Sequence, residues 1–181
     1  MKQCYDFVFN NSNDFSDEEK DLEKISIKEK ISDYEIDLSK YKFMKSTCYI
    51  DGSVLDNKKR KYIGYACYFG ENDERNFIGN NENGTNNRAE LLALCSCLSR
   101  NSGDIDIYCD SSYTILMFNK IRQNIKKGTI KNRDILYNLK DLIRNYDGKI
   151  SIHKVKSHSG IEGNEIVDKM AKLGALKSKE C

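Results

Sequence analysis

The 181-residue chain contains no proline and no tryptophan, only two histidines, and no CxxC pair. The lack of ligands at zinc-like spacing argues against a structural zinc site. Cysteine is not scarce, but seven is an odd number. Five of the seven, Cys48, Cys67, Cys95, Cys97 and Cys109, lie inside apolar segments. That placement argues against a disulfide framework and for small hydrophobes kept reduced inside a cell, in cytoplasm or nucleus. No apolar run approaches the roughly 20 residues needed to cross a bilayer. The opening residues, MKQCYDFVFNNSNDF, lack the basic stretch and apolar core of a secretory signal. No internal repeat or low-complexity tract occurs.

What is present describes a globular protein: 39% hydrophobic and 32% charged residues, enough for one domain of ordinary size plus an appendage. The formal charge of +2 hides an asymmetry. Residues 1–44 carry a net −4 and residues 45–181 a net +6. A basic main domain is compatible with a polyanionic partner, and equally with an ordinary mixed surface. Residues 1–44 read as an acidic N-terminal extension, flexible or partly helical. Within it, SDEE at 16–19 is a helix-capping signal and YEIDL at 34–38 a short strand.

From residue 45 the pattern sharpens. Strands are expected at 46–50 (STCYI), 62–69, 75–79, 105–109 (IDIYC) and 149–155. Helices are expected at 87–100, from about 111, at 134–144 and at 165–176. Three strands in succession and then alternating helices and strands imply an α/β fold. Its five-stranded mixed sheet has three antiparallel strands, then two parallel ones, flanked by helices.

Four acidic residues stand at junctions of these elements. Asp51 follows the first strand and Asp110 the fourth. Glu90 lies in the first turn of one helix, and Asp168 early in the last one. Parallel strands deliver their ends to one edge, where ligands bind. Carboxylates gathered there raise one another's pKa unless cations intervene. Hard divalent metals with oxygen ligands resolve that conflict, Mg2+ above all where phosphate is present. Two such ions would stabilise both oxygens of an in-line phosphoryl displacement. Taken singly, each acidic residue is more simply a cap, a turn or a solvated side chain.

The strings around them are more specific. YIDGS at 49–53, TNNRAEL at 85–91, CDSSYT at 109–114 and VKSHSGIEGNEIVDKMA at 155–171 resemble, in order and separation, four signature stretches of the type 1 ribonuclease H family. The likeness covers about residues 45–176. It implies an RNase H-like catalytic domain at 45–181 that hydrolyses the RNA strand of RNA–DNA hybrids. It further implies two Mg2+ per site (Mn2+ able to substitute), 5′-phosphate and 3′-hydroxyl ends, and a monomer with no membrane partner. Asp51, Glu90, Asp110 and Asp168 would hold the metals. His158 would assist proton traffic or product release, whereas His153 faces outward on its strand. The backbone near Gly52 and Ser111 would meet the ribose-bearing strand, whose 2′-OH is what separates RNA from DNA. Asn57, Asn86 and Asn87 match duplex contacts, with helix capping the plain alternative for the latter two. Tyr113 matches an aromatic of the DNA channel, and equally a core residue. Thr85 and Asn132 match a DNA phosphate pocket.

The chain also departs from the family. It lacks the tryptophans of the basic protrusion, which is shortened here to the neighbourhood of Lys126, Lys127 and Lys131. Asn83 replaces a pocket arginine. Substrate affinity should therefore be lower and more salt-dependent than in relatives with the full protrusion. Two other readings stand beside the nuclease: a catalytically dead hybrid- or duplex-binding module, and a nuclease of this fold with another substrate. A partner for residues 1–44 is not indicated.

Overall fold

The computed structural model describes residues 36–56, 60–124 and 131–180. Five strands, β1 (Ser46–Asp56), β2 (Lys61–Tyr68), β3 (Phe77–Glu82), β4 (Ile105–Cys109) and β5 (Ile150–Lys154), form one sheet in the order β3-β2-β1-β4-β5. β1–β2 and β2–β3 are antiparallel, and β1–β4 and β4–β5 are parallel, as the sequence led us to expect. Helices α1 (Asn86–Ser99), α2 (Ser112–Arg122) and α3 (Arg133–Arg144) cover one face. Helix α4 (Glu162–Glu180) covers β1, β2 and β3 on the other. Among the described residues no helix is long and apolar enough to cross a membrane.

Alternation along β1 divides the core. Cys48 and Ile50 point into the layer under α1–α3, with Leu91, Leu94, Ile107, Phe118 and Leu139. Tyr49 points the other way, against Val167, Met170 and Ala171 of α4. All five cysteines placed in apolar segments are buried and unpaired. The α4 layer is thin because glycine permits contact between backbones. A Cβ on Gly64 would meet Ala171 O and Ala175 N, and one on Gly174 would lie 2.6 Å from Gly79 O. Gly64→Ala should therefore cost about 1–3 kcal/mol, read as a lowered midpoint in urea unfolding.

Several boundaries differ from the sequence reading, each for a tertiary reason. β1 runs to Asp56 rather than ending at 50, because β2 continues to pair with it from Asp51↔Ala66 to Asp56↔Lys61. Asp51 thus lies inside a strand, not after one. β3 begins at Phe77 rather than 75 because the preceding residues form a buried polar knot. There Arg75, 6% exposed, makes two bonds to Asp73 (2.9 and 2.7 Å) and donates to Ser46 and Asn101. Its guanidinium also lies 3.8 Å from the Tyr41 ring centroid and 4.3 Å from that of Phe69. Helix α4 starts at Glu162 and reaches Glu180, beyond the expected 165–176. Of the strand expected at 34–38, residues 34 and 35 lie outside the described residues, and Leu38 instead opens a 3-10 turn, Leu38–Tyr41, capped by Asp37. The capping signal at 16–19 also lies outside them.

Candidate active site

The parallel register of β1 and β4 builds the site. Tyr49 pairs with Tyr108, so Asp51 and Asp110, each two residues further on, leave the same face of the sheet side by side. Glu90 arrives from α1 because Gly52 has no side chain. A Cβ there would lie 2.6 Å from the Ala89 carbonyl carbon and collide with Glu90 N. Carboxylate oxygens of Asp51, Glu90 and Asp110 lie within 4.8 Å of one another. Asp168 of α4 falls outside that group of three, but borders the same cavity of about 410 Å³. Its Oδ2 accepts from Lys172 Nζ at 2.9 Å, one helical turn on.

Burial and crowding dominate the electrostatics. Asp51 and Glu90 are 7% and 3% exposed. Burial, then the charges of Asp110 and Asp168, pushes the Asp51 carboxyl up to about 8. Burial, then Asp51 and Asp110, holds Glu90 well above the usual carboxylate range. Glu90 Oε2 is buried with no hydrogen-bond partner in the protein. No Lys or Arg stands among the described residues that line the cavity. Three oxygen donors, crowded and partly orphaned, fit a hard divalent metal ion.

Of the other expected residues, Gly52, Asn86, Ser111 and His158 also border the cavity. Asn86 Nδ2 reaches Glu90 Oε1 at 3.5 Å, and the residue that caps α1 is Thr85, whose hydroxyl accepts from Arg88 N. Capping is thus not the role of Asn86 or Asn87, the latter being exposed in the first turn. His158 holds a left-handed backbone (φ 51°) in a loop whose Gly160 N–H donates to Glu165 Oε1 at 3.3 Å. His153 lies elsewhere, stacked on Tyr108 and bonded to Asp106 at 3.0 Å.

Among the described residues, Tyr113, Thr85, Asn87 and Asn132 do not border the cavity. Tyr113 is half-buried against the α1–α3 core. Asn132 occupies the N-cap position of α3 with left-handed backbone and no side-chain cap bond. Thr85 and Asn132 nevertheless begin neighbouring helices, because Arg88 of α1 grips Asp134 of α3 in two bonds (3.1 and 2.5 Å). Asn57 lies outside the described residues, as do Lys126 and Lys127. The sequence reading missed Ser53, Ser157, Asn164 and Glu165, which border the cavity as well. All four lie inside the signature strings, Ser53 in YIDGS and the other three in VKSHSGIEGNEIVDKMA.

Comparison with known proteins agrees with this architecture. The profile of the RNase H family matches residues 44–176. The chain is similar to a ribonuclease H of Schizosaccharomyces pombe, with 37% identity over 138 residues, which are 70% of this chain and 52% of that protein. It is also similar to a ribonuclease H of Orientia tsutsugamushi (35% identity, 72% of this chain, 82% of the relative). A ribonuclease HI of Haemophilus ducreyi is 34% identical over 70% of this chain and 88% of its own length. The chain thus spans about half of the fission-yeast relative and more than four-fifths of the two bacterial ones. With the profile covering most of the chain and the expected sheet order present, this protein belongs to the ribonuclease H family.

Proposed function

We propose that this protein is an endonuclease that hydrolyses the RNA strand of RNA–DNA hybrids with two divalent cations, Mg2+ or in its place Mn2+, leaving 5′-phosphate and 3′-hydroxyl ends. The reading is carried by the three carboxylates gathered within 4.8 Å in a chain of this family. Bound there, the cations supply a water of lowered pKa and charge compensation at the scissile phosphate. Asp51 would be a ligand to both. Asp168 would help hold the cation on the side of the attacking water, Glu90 and Asp110 the one on the leaving-group side. Glu90 also accepts from the ribose 2′-OH, which restricts cleavage to RNA. His158, on its exposed loop, takes up and releases protons as product departs.

The duplex is held by the backbone at Gly52 and Ser111, by Asn57, Asn86 and Asn87, and by the DNA-strand contacts Tyr113, Thr85 and Asn132. The catalytic unit is 45–181, acting as a monomer in a reducing compartment of the cell, which suits its buried thiols. Residues 1–44 form an acidic extension whose end is clasped by Arg75.

The test is direct. Labelled RNA–DNA hybrid, double-stranded RNA and double-stranded DNA are incubated with Mg2+, then with EDTA. Cleavage confined to the RNA of the hybrid and abolished by EDTA is expected. Tight hybrid binding without cleavage would establish the binding module instead, and cleavage of double-stranded RNA would reassign the substrate.

A further inference from the structure

The first turn of α4 carries a polar group that the reaction as described does not use. Asn164 is 5% exposed, borders the cavity, and its Oδ1 is buried without a hydrogen-bond partner. Its position is enforced by its neighbour. A Cβ on Gly163 would drive into the Tyr49 ring, within 2.7 Å of Cζ. The turn is therefore pressed against β1 beside the residue two before Asp51.

An orphaned buried carboxamide costs free energy that an apolar side chain of the same size would not. Such a group in a well-packed protein calls for an occupant. The charged groups around the cavity are acceptors: Asp51, Glu90, Asp110 and Asp168, with Glu165 already engaged by Gly160 N–H. Glu90 Oε2 is orphaned in the same way. Two such buried oxygens thus border one cavity that, among the described residues, no Lys or Arg lines. The donors that a hydrated cation brings into a carboxylate site are the O–H groups of its water.

We propose that Asn164 is a positioning residue of the cation site, its carboxamide oxygen accepting from the water that accompanies the divalent ion and so raising the affinity for that ion. This rests on the reading of the carboxylate cluster as a divalent cation site. The amide suits the task because it accepts without adding a further negative charge to a crowded cluster.

Isothermal titration of the full chain with Mn2+, alongside thermal melting in EDTA, tests it with Asn164→Leu and Asn164→Asp. Asn164→Leu should melt in EDTA at or above the wild-type temperature yet bind Mn2+ about 10-fold more weakly, the usual size of such an indirect effect. Asn164→Asp, which keeps an acceptor in place, should bind at least as tightly as wild type. Should the leucine variant not fold, Asn164→Ala carries the same expectation for binding.

Unchanged Mn2+ affinity in the leucine or alanine variant overturns the proposal. So does an equal loss in all variants together with lowered melting in EDTA, because that marks a structural role. Wild-type protein that binds no Mn2+ sinks both this proposal and the cation site. Wild-type protein that binds Mn2+ but leaves the hybrid intact, with the leucine variant still weakened, sinks only the nuclease reading.

Discussion

Asp51→Asn should lower hybrid cleavage by on the order of 10³-fold while making the metal-free protein more stable at pH 8. The loss follows, on the proposed function, from removing a ligand to both cations. Several kcal/mol of transition-state stabilisation by bound cations translate to roughly that factor. The gain follows from the same crowding. Asp51 has an ordinary pKa of 3.8, raised in the folded protein to about 8 by burial and then by Asp110 and Asp168. Between those values the folded state keeps a proton that the unfolded state has released. The stability this contributes is fully present below about pH 4 and is lost as pH rises through about 8.

Asparagine is neutral throughout and escapes that loss. In EDTA the difference in melting temperature between variant and wild type should therefore be small at pH 5 and widen to several degrees by pH 8, equivalent to about 2 kcal/mol or more. Added Mg2+ should stabilise wild type more than the variant. A variant that melts below wild type at pH 8 in EDTA would show that Asp51 is held by favourable contacts rather than crowded.

Arg75→Ala has the largest expected effect on the fold. It would leave Asp73 without its ion-pair partner, and Ser46 and Asn101, 6% and 3% exposed, each without a donor. Breaking a buried charge pair by removing one member typically costs about 3–5 kcal/mol. For a domain of this size that means a drop of about 10–15 °C in melting temperature. Arg75→Lys should recover only part of it, because an ammonium cannot make two parallel bonds to Asp73 while lying flat on Tyr41 and Phe69. None of these residues borders the cavity, so turnover measured well below the melting temperature should stay near wild type. A melting temperature within 3 °C of wild type, about 1 kcal/mol at this size, would mean that the knot is incidental.

The sequence by itself determined which segments are buried, and with them the class of fold. IDIYC at 105–109 gives β4 to the residue, and Leu91, Leu94, Cys95 and Leu98 give α1 its buried stripe, because a period of two or 3.6 is a direct trace of burial on one face. It also determined the candidate carboxylates, since the strings around them are local. What only the tertiary structure decided is how those local pieces meet. The pairing of Tyr49 with Tyr108 aligns Asp51 with Asp110, the bare backbone at Gly52 admits Glu90, and that at Gly163 presses Asn164 against the site. Arg75 enters the sequence reading only as the first residue of the strand expected at 75–79, yet it is buried by residues 2 to 34 positions away. Register, close approach and the partners of a buried charge depend on residues distant in the chain, so no window of local periodicity contains them.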